Sequence, residues 1–134
     1  MRKLAVLLVV MVAGCAPRPA PMIQGDPTAV AALLATTDAQ FFAQTALAQK
    51  VANACPSISF NDRFNQALIA HRFGGGRRGL AAAANTRAID LEEDVATRSL
   101  QARYETPLTD TNLCTVGTGE IARKSALSAV LIAS

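Results

Sequence analysis

The chain has 134 residues, 51% of them hydrophobic but only 4% aromatic, with no Trp. That is the length of one compact domain, and a core with so few rings and so much alanine implies closely approaching helices, each buried methylene contributing roughly 0.8 kcal/mol. Thirteen Lys and Arg against 10 Asp and Glu give a net charge of +3; with Arg2 and Lys3 assigned to an N-terminal targeting signal, 11 basic residues face those 10 acidic ones, which excludes the basic footprint of a nucleic-acid-binding protein.

After Arg2 and Lys3, Leu4 to Val12 is an unbroken apolar run. It is long enough for a signal-peptide core and too short to span a bilayer, which takes about 20 apolar residues. Ala13 and Gly14 then precede Cys15. The segment Val12-Ala13-Gly14-Cys15 resembles the lipobox of bacterial lipoproteins, with Val12 where that motif usually has Leu. The resemblance implies cleavage before Cys15 and lipidation of its thiol. More than one acyl chain makes a stable membrane anchor. The alternative is an ordinary cleaved signal or an uncleaved anchor. Ala16 rather than Asp follows the cysteine, and by analogy with lipoprotein sorting this points to the outer rather than the inner membrane. The expected organisation is a signal peptide over 1–14, a lipidated cysteine and Pro-rich tether over 15–25, and a single helical domain over 26–134. Pro17, Pro19 and Pro21 make the tether extended.

Asp26-Pro27 is a helix start, a capping oxygen followed by proline in the first turn. Helix-forming residues run from there almost to Cys55, with Thr36-Thr37-Asp38 able to break the run and cap a second helix. Phe41, Thr45, Ala48, Ala52 and Cys55 are spaced three or four apart and share one face. Pro56 stops the run. Ser59–Phe73 is the next expected helix, with Phe60, Phe64, Ala67, Leu68 and His71 on its apolar side. Gly74-Gly75-Gly76-Arg77-Arg78-Gly79 ends it as a flexible loop. Leu80–Tyr104 reads as mostly helical, with Asp90 able to cap its second half. Its expected inner stripe is Leu91, Val95, Arg98 or Ser99, and Ala102. After the Pro107 loop, Asp110 or Thr111 opens a last helix through Ala133, its apolar positions being Ile121, Leu127, Val130 and Leu131. Sustained period-two alternation is absent, so the expected fold is all-α, a small bundle of four or five helices.

With Cys15 assigned to lipid, Cys55 and Cys114 remain. Exported proteins live where disulfides persist. A bridge would tie the end of one helix to the start of the last and close a loop of about 60 residues, worth roughly 4 kcal/mol. A redox pair is the alternative, but the chain has no C-x-x-C. The pairing requires the first long helix and the last helix to run side by side and antiparallel, with both sulfurs buried at one end of the bundle.

The segments CPSISFNDRFNQAL from Cys55 and LCTVGTGEIARKSALSAVLI from Leu113 resemble the two signature stretches of a family of short exported Gram-negative proteins, the domain-of-unknown-function family numbered 5333. Cys114, Gly117, Glu120 and Ile121 match its pattern, with Leu113 where the family often has Phe. The likeness covers about half of the mature chain. It implies a helical, disulfide-stapled envelope protein and transfers no catalytic residue.

Each remaining candidate has a structural reading. The Gly74–Gly79 run could cradle a phosphate with Arg77 and Arg78, but it lacks the P-loop spacing and no strand precedes it. His71, the only histidine, has no partners at metal-ligand spacing and reads as a helix residue packing partly inward. Glu92, Glu93 and Asp94 are adjacent on a helix and point apart. Glu120 could pair with Lys124 one turn on or reach an arginine across the bundle, in a structural role. No catalytic residue, metal site or cofactor is expected. Three functions remain. The first is a non-catalytic envelope lipoprotein that binds a protein or a cell-wall component. The second is a carrier of a small apolar ligand, in a cavity lined by Phe41, Phe64 and Leu68. The third is an envelope hydrolase with a pocket of convergent ionisable groups.

Overall fold

The computed structural model describes residues 24–134. The expected signal peptide over 1–14, Cys15 and the tether as far as residue 23 lie outside the described residues. The chain order is α1 (Pro27–Leu34), α2 (Asp38–Ala54), β1 (Ile58–Phe60), α3 (Asp62–Phe73), α4 (Arg77–Ala83), α5 (Thr86–Tyr104), α6 (Leu113–Arg123), a 3-10 turn (Ala126–Val130) and β2 (Leu131–Ala133).

The local start signals act as the sequence indicates. The Asp26 carboxylate accepts from the Thr28 and Ala29 N–H groups at 2.9 and 3.3 Å, with Pro27 in the first turn of α1. The run breaks at 36–37, and Thr37 caps α2 in a reciprocal box. Its hydroxyl accepts from the Gln40 N–H at 3.2 Å and the Gln40 side chain accepts from the Thr37 N–H at 3.1 Å. Both satisfy donors that a helix start leaves unpaired. Helix α2 is the hub of the fold, with α5 and α6 packed along it and the 3-10 turn against it. It therefore buries Leu47 and Val51 as well as the expected Phe41, Thr45 and Ala48.

Two helix boundaries differ from expectation. Residues 58–60 are a strand, not a helix start, and pair antiparallel with 131–133, Ile58 opposite Ala133 and Phe60 opposite Leu131. Helix α3 begins only at Asp62, where Asn61 accepts from the Phe64 N–H at 3.2 Å. The last helix likewise stops at Arg123, and Lys124 turns left-handed at φ 54°. Leu127 through Leu131 are then buried without a gap, a pattern that a one-faced helix cannot meet, and they lie under α1 as a 3-10 turn running into β2. A three-residue strand is too short for alternation to register, and its partner is at the far end of the chain.

The glycine run also divides differently. Gly74, Gly75 and Gly76 carry φ of 68°, 72° and 77°, which glycine adopts without strain. Arg77, Arg78 and Gly79, expected in the loop, form the first turn of α4, with Gly79 buried on Phe73. A second break at 84–85 precedes α5, so Asp90 lies inside a helix rather than capping one, and six α-helices appear among the described residues rather than four or five. The fold is nonetheless mostly α, with one two-stranded ribbon, and a contiguous core runs from Ala29 in α1 to Leu131 in β2.

Helices α2 and α6 pack closely at Gly117. A Cβ there would lie 2.4 Å from Val51 Cγ1 and 2.8 Å from Ile58 Cδ1. Gly117→Ala should therefore overpack this seam and destabilise the domain by about 1–3 kcal/mol, read as a lower urea midpoint at unchanged slope. A stability equal to wild type would show that the seam can open without cost.

Candidate functional site

Cys55 ends α2 and Cys114 lies in the first turn of α6, and the two form a disulfide with Cα atoms 4.9 Å apart. Val51 meeting Gly117 one turn away confirms that the two helices run antiparallel. Cys55 is buried, but Cys114 is only half-buried, which corrects the expectation that both would be hidden. Residues 109–111, just before α6, are exposed.

Glu120, one and a half turns further along α6, is among the most deeply buried side chains of the fold. Arg103 Nη1 donates to both carboxylate oxygens at 2.8 and 3.0 Å, and the Tyr104 hydroxyl donates to Oε1 at 2.9 Å. Arg103 is the arginine across the bundle; Lys124, the other expected partner, pairs with Asp26 at 3.2 Å. Burial pushes the Glu120 carboxyl upward, but the hydrogen bonds from Arg103 and Tyr104 and the Arg103 charge hold it below its ordinary value. Burial and the neighbouring carboxylate push the Tyr104 hydroxyl upward. Such a carboxylate stays ionised and fully engaged at neutral pH, whereas a buried general acid needs a raised value. Gly119 makes room for the arrangement, since a Cβ there would lie 2.3 Å from the Tyr104 oxygen.

The other candidates lie apart. His71 is exposed rather than partly inward. The buried arc of α3 turns to take in Leu68, Arg72 and Phe73, and this leaves His71 at its edge. Glu93 pairs with Lys50, while Asp94 is exposed. Phe41, Phe64 and Leu68, expected to line a ligand cavity, are packed core residues. Among the described residues, no three His, Cys, Asp or Glu converge as a metal-ligand set, and no helix is long and apolar enough to cross a membrane.

Arg72 is a structural residue that periodicity did not reveal. Its guanidinium donates to the Leu34 carbonyl at 2.9 Å and to Asp38 at 3.0 Å, and it lies 5.2 Å from the centre of the Phe41 ring and 5.6 Å from that of Phe73. It locks the α1–α2 corner onto α3. Arg103 and Tyr104 were missed for the same reason: a polar side chain at a helix end gives no sign of a partner from another element.

Among the described residues, two surfaces expose large apolar side chains. On α5 the expected inner stripe faces out, with Leu91 and Val95 60% and 57% exposed and Ala102 also exposed. The face that meets α2 carries Ala96, Leu100 and Tyr104 instead. At the α3–α4 corner, a groove of about 430 Å³ is lined by Phe42, Ile69, Phe73, Gly76, Leu80 and Ala83, with Leu80 72% exposed at its rim. No family model, no curated protein and no solved structure matches this chain.

Proposed function

We propose that the chain is a cell-envelope lipoprotein, anchored through Cys15 and destined for the outer membrane, whose helical domain is a non-catalytic protein-binding module. The observation that carries the binding role is the outward face of α5. Its sequence places Leu91 and Val95 one turn apart as an inner stripe, yet the fold covers the opposite face of that helix. An apolar stripe with no partner in its own domain is the mark of a surface that another protein covers. Kinship with the domain-of-unknown-function family numbered 5333 belongs to the same reading. It is supported by the physical need for Gly117 at the α2–α6 seam and for Glu120 between Arg103 and Tyr104.

The test is site-specific photo-crosslinking in the native envelope, with the reactive group at position 91 or 95 and a control at exposed Ala122. A discrete protein adduct is expected at 91 and 95 and not at 122, and Leu91→Asp should abolish the adduct at 95 while changing stability by no more than about 0.5 kcal/mol. Equal labelling at all three positions, or none, sinks the binding role. In a parallel arm, Cys15→Ser should leave an unacylated precursor; a mature mass identical to wild type would reject the anchor.

A further inference from the structure

We propose that the α3–α4 corner docks on an anionic lipid surface, with Leu80 entering the acyl boundary and Arg77 and Arg78 meeting phosphate headgroups. The first ground is charge segregation. Residues 63–89 contain five arginines and no Asp or Glu, while the chain as a whole has 13 basic and 10 acidic residues. Arg72 is turned inward onto Asp38. Arg63, Arg77, Arg78 and Arg87 are exposed, and none of them makes an ion pair with a described residue. Arg77 and Arg78, unpaired and three and two positions before exposed Leu80 on α4, are complementary to an anionic bilayer interface.

The second ground is the groove itself. Its lining side chains are Phe, Ile, Leu and Ala, with no polar group among them. An acyl chain needs no hydrogen-bond partner, and so suits a groove without polar side chains. Gly74, Gly75 and Gly76 add no bulk at the mouth, since a Cβ at any of them would meet nothing within 4 Å. The third ground rests on the anchoring proposed above. From Cys15 to Gln24 the chain can span at most about 30 Å even when fully extended, which keeps the domain close to the membrane that holds Cys15.

The chain has no Trp, so a single introduced tryptophan reports locally. Full-length Leu80→Trp and Leu91→Trp chains are mixed with phosphatidylglycerol–phosphatidylcholine vesicles or with phosphatidylcholine vesicles alone, at low ionic strength. The Leu80→Trp emission should shift to the blue on the anionic vesicles only and be quenched by brominated acyl chains, while the Leu91→Trp emission stays that of a solvated ring. Adding Arg77→Gln and Arg78→Gln should raise the lipid concentration at half-shift about thirty-fold. An unshifted Leu80→Trp emission, the same shift on both vesicles, or an equal response from Leu91→Trp overturns the proposal. So does a shift produced by an acidic amphipathic peptide but not by anionic vesicles. The intact mass of the same samples separates the two readings. An acylated chain on vesicles with a solvated tryptophan at position 80 rejects this docking and keeps the anchor; a blue shift without acylation does the reverse.

Discussion

Cys55→Ala combined with Cys114→Ala should lower the melting temperature by on the order of 10–20 °C. The bridge closes a loop spanning 59 positions, for which chain entropy predicts about 4 kcal/mol. A domain of this size has only about 5–15 kcal/mol in total and shifts by several degrees per kcal/mol. The effect is large because of where the bridge sits. It pins the end of α2, the hub helix, to the start of α6, and α6 in turn carries Gly117 into the α2 seam and Glu120 to Arg103. Scanning calorimetry of the non-reduced wild type and the double variant measures the difference, with thiol counting alongside. Two reactive thiols at these positions in the native protein, or a melting temperature unchanged within a degree or two, would show that the bridge is not what holds this end of the bundle.

Arg103→Met should cost about 3 kcal/mol at pH 7, more than Glu120→Gln at about 1–2 kcal/mol. The asymmetry follows from exposure. The Glu120 side chain is 2% exposed and that of Arg103 38%. Removing the arginine strands a buried carboxylate, while removing the carboxylate leaves a guanidinium that water still reaches. The pH dependence gives an independent check. In the wild type, Glu120 in the folded state lies below its ordinary value of 4.5. Its contribution is therefore fully present above about pH 4.5 and is lost as pH falls through the lower folded value. In Arg103→Met the main opposing charge is gone and burial dominates, which raises the folded value above the unfolded one. That variant should then gain stability relative to wild type as pH falls from 7 toward 4. Urea unfolding at pH 7 and pH 4 reads both effects. Parallel pH profiles for the two proteins would mean that Arg103 does not set the charge state of Glu120.

The features legible in the sequence are those whose causes lie within a few residues. Asp26-Pro27 and Thr37 cap helices because a side-chain oxygen one turn from an unpaired N–H needs no tertiary partner. Gly74 to Gly76 interrupt the chain because three consecutive residues at positive φ suit only glycine. The cysteine pairing was legible for a different reason: with Cys15 set aside, two thiols allow one intramolecular bridge, and the helix boundaries around them already required an antiparallel pair.

The tertiary structure decided what depends on partners distant in sequence. Leu131 to Ala133 became a strand because Ile58 to Phe60 offered an edge, and the buried run from Leu127 to Leu131 had to be enclosed on all sides under α1. Glu120 chose Arg103 over the nearer Lys124 because α5 delivers a guanidinium and a tyrosine hydroxyl to the same buried point, whereas Lys124 had already turned left-handed toward Asp26. The orientation of α5 was settled in the same way. Periodicity identifies an apolar stripe but not which neighbour will cover it; contact with α2 covers Ala96, Leu100 and Tyr104, the last also tied to Glu120 by its hydroxyl, and leaves Leu91 and Val95 in water.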